Sequence, residues 1–162
     1  MRWINDALPS VNGRRRAIAV EHDRRVPEDL VWDDTLAAIA STFPDDCEKW
    51  KHGSNYRYYP ANPDSNAFKL NSFVFEYMKQ HKDHINIMIK LGMKRMSLMH
   101  YEMFNPSQKI IGCAPKSCRG VFKKDVLARR EELKIIGDTY RYGTTCLLGP
   151  SNKWDIDVEK LI

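Results

Sequence analysis

The chain has 162 residues, 43% of them hydrophobic and 29% charged, with 26 Lys and Arg against 21 Asp and Glu for a net charge of +5. That length suits one domain with its own core, and the composition is that expected of a soluble globular protein. No apolar run approaches the ~20 residues that span a bilayer, and MRWINDALPS carries no apolar stretch of the signal-peptide kind.

These exclusions lead to the expectation of an intracellular, cytoplasmic protein with no transmembrane segment. Its four scattered cysteines, Cys47, Cys113, Cys118 and Cys146, are then expected as reduced thiols. The charge is uneven. Residues 1–54 hold 8 Lys and Arg against 10 Asp and Glu, residues 55–137 hold 15 against 7, and residues 138–162 hold 3 against 4. The middle of the chain therefore carries the positive excess, which suits a polyanionic partner.

Taken in order, residues 1–16 read as an irregular basic arm preceding a globular unit at 17–162. Pro9, Ser10, Asn12 and Gly13 break regular structure, and Arg14, Arg15 and Arg16 follow with guanidinium forks that match phosphate oxygens. Ala17, Ile18, Ala19 and Val20 read as a short buried strand. A helix is expected over 34–43, capped by Asp33 or Asp34, stopped by Pro44, and buried through Leu36, Ile39, Ala40 and Phe43. A further helical turn follows near 45–51.

Residues 52–63 read as a loop. Tyr56, Tyr58 and Tyr59 flank Arg57, and aromatics interleaved with cations can stack on unpaired bases. Residues 65–92 have the pattern of one long amphipathic helix. Leu70, Phe73, Val74, Tyr77, Met78, Ile85, Met88 and Leu91 lie on one stripe, and Gly92 supplies the stop. At 1.5 Å per residue it would run roughly 40 Å. His81 and His84 lie near one face of it, and a zinc site with Cys113 and Cys118 is arithmetically possible. No metal or other cofactor is favoured.

Residues 94–104 and 109–113 read as two strands of a hairpin joined at Asn105, Pro106, Ser107 and Gln108. A tight cationic loop then leads into a helix over 123–136. A strand over 140–148, a turn at Gly149 and Pro150, and a last strand at 154–158 complete the chain. The fold class is therefore α+β in a single domain. A mostly antiparallel sheet of four to five strands would pack against a long central helix and two shorter ones.

The order Cys113, Ala114, Pro115, Lys116, Ser117, Cys118, Arg119, Gly120 resembles the phosphate loop of low-molecular-weight tyrosine phosphatases and related arsenate reductases. The likeness covers about eight residues. It implies a phosphohydrolase with Cys113 as nucleophile and Arg119 as phosphoryl clamp. Asp138 would stand in for the family's general acid, because no Asp-Pro pair follows.

The first reading is a non-catalytic binding or assembly protein for a polyanion, with RNA or single-stranded nucleic acid foremost. Its contacts would be Arg14, Arg15, Arg16, Tyr56, Arg57, Lys94, Arg95, Lys116, Arg119, Lys123 and Lys124. The phosphohydrolase is the second reading. An oligomeric scaffold that self-associates through methionine and tyrosine surfaces is the third.

Overall fold

Apolar runs at 110–114 and 144–149 build the centre of the sheet, short strands from the first half of the chain complete its edges, and the helix at 34–41 packs on it. A computed structural model describes residues 2–21, 25–61, 80, 83, 97, 99–121 and 139–155. The elements are α1 (Arg2–Glu21), β1 (Val31–Trp32), α2 (Asp34–Ser41), β2 (Arg57–Ala61), β3 (Ile110–Ala114), β4 (Cys118–Val121), β5 (Thr139–Tyr142) and β6 (Thr144–Gly149). Short 3-10 turns occupy Cys47–Lys49 and Met99–Phe104. Four strands form one sheet in the order β1-β3-β6-β2, and β4 and β5 form a separate ribbon. The pairs β3–β6 and β2–β6 are antiparallel, and the short β1 runs parallel to β3. The fold is α+β, as expected.

β6 lies at the centre because every residue from Thr144 to Gly149 is buried. A strand covered on both faces reads as a continuous run instead of alternating. α2 begins at Asp33, whose carboxylate accepts from the Leu36 backbone N–H at 2.8 Å. It lies so close to β3 that a Cβ on Gly112 would stand 2.3 Å from the Ala37 nitrogen and 2.5 Å from the Asp33 carbonyl oxygen. Only a residue without a side chain permits that approach.

Leu36, Ala40, Phe43, Cys47, Trp50, Tyr58, Ala114, Cys118 and Leu147 form the core on this side. Each large apolar side chain so buried contributes about 1.5–3 kcal/mol. Phe43 meets Trp50 edge-on at 5.5 Å, and Trp50 meets Tyr58 edge-on at 6.2 Å. The Trp50 indole N–H donates to the Pro44 carbonyl at 2.6 Å, so its polar end is satisfied.

Several sequence readings are corrected. Residues 2–16 are helical, and so are residues 17–20, expected as a strand. α1 continues through Pro9 because Val11, Asn12, Arg15, Ile18 and Ala19 are buried along one stripe, and tertiary packing outweighs the local breakers. Residues 57–61, read as loop, form β2. It lies at the sheet edge, where Pro60 removes no necessary ladder bond.

Met99–Phe104 is a 3-10 turn, not a hairpin strand. Glu102, Met103, Phe104 and Asn105 are consecutively buried, a pattern a half-exposed strand cannot produce. β3 pairs instead with β1 and β6. The expected strand at 140–148 is broken at Gly143 into β5 and β6, which belong to different sheets. Trp154 and Asp155 are irregular. The long helix expected at 65–92 lies outside the described residues except for Gln80 and Asp83, both helical. The helix expected at 123–136 also lies outside them.

All four cysteines are paired, Cys47 with Cys118 and Cys113 with Cys146, which corrects the expectation of thiols. Cys113 and Cys146 stand directly opposite in the β3–β6 register. Spacing along the chain, at 71 and 33 residues, gives no hint of either pairing; the fold brings them together. Among the described residues, no helix is long and apolar enough to cross a membrane.

Candidate polyanion interface

β4 alternates Cys118, Arg119, Gly120, Val121 and pairs antiparallel with β5. The register sets Cys118 opposite Tyr142 and Arg119 opposite Arg141. Side chains opposite one another share a face of the ribbon. Cys118 is buried in its disulfide and Tyr142 packs on the core, so Arg119 and Arg141 point the other way, and both are exposed.

Like charges set directly opposite each other destabilise a strand pair. Neither guanidinium has an ion-pair partner among the described residues. The ribbon is also anchored. The disulfide ties β4 to Cys47, the Arg119 backbone N–H donates to the Asp45 carbonyl at 2.8 Å, and Asp46 bridges to Arg119 through the backbone. Two cations are thus held side by side on a fixed support, and an anion placed between them would relieve their repulsion.

Beside them, Lys116 binds Asp45 at 2.5 Å. The hydrogen bond from Lys116, and then its charge, hold the Asp45 carboxyl below its ordinary range. Asp45 is almost fully exposed, so this pair contributes little to stability.

The other sequence candidates fall into three groups. Arg15 and Arg57 are buried and structural. Arg15 donates to the carbonyls of Met103, of Gln108 at 3.0 Å and of Glu28 at 3.3 Å. Arg57 forms a two-pronged pair with Glu102 at 2.6 and 2.8 Å and donates to the Asn152 carbonyl at 3.1 Å. Neither can reach a polymer in solvent. Arg16 is exposed but paired with Asp29, whereas Arg14 is exposed on α1. Lys94, Arg95, Lys123 and Lys124 lie outside the described residues, as do His81, His84 and Asp138.

Tyr56, Tyr58 and Tyr59 do not form a stacking platform. Tyr58 and Tyr59 are buried, and Tyr56 packs partly buried against Phe43. Arg141 was missed from sequence, although the alternation of Tyr140, Arg141 and Tyr142 marks its outward position.

The phosphate-loop likeness does not carry over. Cys113 lies inside β3 with its sulfur bonded to Cys146, and a nucleophile there needs a thiolate. Backbone donors needed to cradle a phosphate are also missing or committed at three positions. Pro115 has none, the Lys116 N–H binds the Ala114 carbonyl at 2.8 Å, and the Arg119 N–H binds Asp45. The same pairings remove Cys113 and Cys118 as zinc ligands, and no cluster of metal-binding side chains occurs among the described residues.

Comparison with protein-family models, with curated proteins and with solved structures returns no match.

Proposed function

We propose that the chain is a non-catalytic binding module for an anionic polymer, which it engages through the solvent face of the β4–β5 ribbon. The opposed pair Arg119 and Arg141, exposed and without carboxylate partners among the described residues, carries this reading. Guanidinium groups grip sulfate, phosphate and carboxylate oxygens in fork geometry, and a polymer presents several such groups in a row.

Two observations favour an acidic polysaccharide over nucleic acid. Base stacking would need exposed rings, and of the three tyrosines around Arg57, Tyr58 and Tyr59 are buried and Tyr56 packs partly buried against Phe43. Disulfides persist in oxidising surroundings, where sulfated and carboxylated glycans are the common polyanions, and here they take up every cysteine. That argument also moves the protein away from the cytoplasm.

The test is retention on immobilised heparin. Arg119→Ala/Arg141→Ala should elute at clearly lower salt than the parent. Lys49→Ala/Lys51→Ala removes the same charge at two other exposed positions and should elute near the parent. Equal elution of the two double variants would reduce the interaction to net charge and overturn the proposal. Preference for a single-stranded oligonucleotide over heparin would replace the polysaccharide with nucleic acid.

A further inference from the structure

A cleft of about 460 Å³ lies away from the ribbon. Its walls are Arg25, Val26, Pro27 and Glu28 from the segment after α1, Pro106, Ser107 and Lys109 from the turn before β3, and Pro150 and Ser151 after β6. The volume falls within the range of small-molecule sites. Three prolines from three separate segments give it rigid aliphatic faces that carry no N–H.

Two buried polar side chains hold these walls in place. Gln108 donates to the carbonyls of Leu148 at 3.1 Å and Ser151 at 2.8 Å, and accepts from the Ser151 N–H at 3.0 Å. Arg15 gathers the carbonyls of Met103, Gln108 and Glu28 from behind. The cleft is therefore preformed, and a ligand would lose little affinity to ordering it.

Arg15 also adds a positive charge behind these walls. It is 2% exposed, and among the described residues its hydrogen-bond partners are neutral carbonyls and its Nε has none. Burial pulls its pKa down to about 10, against the raising influence of Asp29 and Asp155, so it remains a cation at neutral pH. A buried cation that no carboxylate hydrogen-bonds is costly, and a further anion nearby lowers that cost. At the mouth, Arg25 meets Asp155 only at 3.9 Å and Lys109 meets Glu28 at 3.4 Å, all on largely exposed side chains except the half-buried Asp155. Such pairs are weak and exchange readily for a ligand's anion.

We propose that this cleft binds a small aromatic carboxylate, with its ring against the prolines and Val26 and its carboxylate between Arg25 and Lys109. Aromatic faces and proline rings pack well on each other, as in proline-recognition grooves. The site is independent of the ribbon and of the polyanion proposed for it.

The probe is 3-phenylpropionate, followed by amide chemical shifts, with 3-phenylpropanol and acetate as controls. A Kd of order 10⁻³ M suits a ligand of this size. The shifts should map to the cleft, the alcohol and acetate should bind at least fivefold more weakly, and Arg25→Ala/Lys109→Ala should lose about tenfold. Val26→Trp, at a half-exposed position, should fill the cleft and block binding while the protein stays folded. Arg119→Ala/Arg141→Ala should bind as the parent does. Absence of saturable shifts at 10 mM probe, equal binding of the alcohol, or indifference to both cleft variants would overturn the assignment.

Discussion

Arg57 and Glu102 face each other fully buried, joined by two parallel hydrogen bonds from Nε and Nη2 to the two carboxylate oxygens. They tie the edge strand β2 to the Met99–Phe104 turn, and Nη1 reaches on to Asn152. Removing one partner strands the other charge without water. Glu102→Ala is therefore expected to cost about 3–5 kcal/mol, whereas Arg57→Met/Glu102→Leu should cost far less or nothing. Urea unfolding of the three proteins measures both. Heparin retention of any folded variant should not change, since neither side chain reaches solvent.

The two disulfides close loops of 71 and 33 residues. By chain entropy each is expected to contribute about 4 kcal/mol, the longer loop slightly more. Cys47→Ser/Cys118→Ser and Cys113→Ser/Cys146→Ser should each lower the unfolding free energy by about 2–5 kcal/mol. Alkylation in denaturant without reductant should label no cysteine on the parent protein. Loss of the Cys47–Cys118 bond should also weaken heparin retention, because that bond anchors β4 beneath Arg119.

Gly112 is where α2 meets β3. A methyl there would collide with backbone, which cannot rotate away. Gly112→Ala is expected to destabilise by roughly 1–3 kcal/mol, the range for overpacked cores. Gly13, with nothing near its Cβ position, is the control: Gly13→Ala in α1 should be neutral or stabilising by up to about 1 kcal/mol. Thermal unfolding of the two variants separates these outcomes.

Burial, and then the neighbouring Tyr142, push the Tyr59 phenol well above its ordinary value of 10.0. The contribution is complete below pH 10, where the phenol is neutral in both states. It is lost as pH rises above 10, because only the unfolded chain can then release the proton. Stability should therefore fall above pH 10, by up to about 1.4 kcal/mol per pH unit for this one group. In Tyr59→Phe that alkaline slope should be shallower by one proton, whatever the change at neutral pH. Urea titrations between pH 9 and 11.5 measure the slope.

What was legible in the sequence was local. Asp33 and Pro44 bound α2 because a cap and a missing N–H act within one turn, and the apolar run at 109–113 marks β3, while the run at 140–148 contains β6 but joins it to β5 across Gly143. What was not legible depended on distant partners. The stripe of Val11, Asn12, Arg15, Ile18 and Ala19 becomes a reason for helix only once a surface exists to bury it. Asn12, read as a breaker, uses its amide to pair both backbone groups of Leu30, at 2.7 and 3.0 Å. Arg57 looked like a solvent cation because its acid, Glu102, lies 45 residues away. Arg119 was picked for a phosphate loop, but what marks it out is Arg141, brought opposite by the register of two short strands.

The salt dependence of heparin affinity addresses the ribbon most directly. For a polyanion held by charge, log K falls linearly with log salt, at a slope close to the number of cations engaged. The slope for Arg119→Ala/Arg141→Ala is expected to be smaller than that of the parent by about two, with Lys49→Ala/Lys51→Ala unchanged. An identical slope for all three proteins would contradict the claim that the paired arginines hold the polymer.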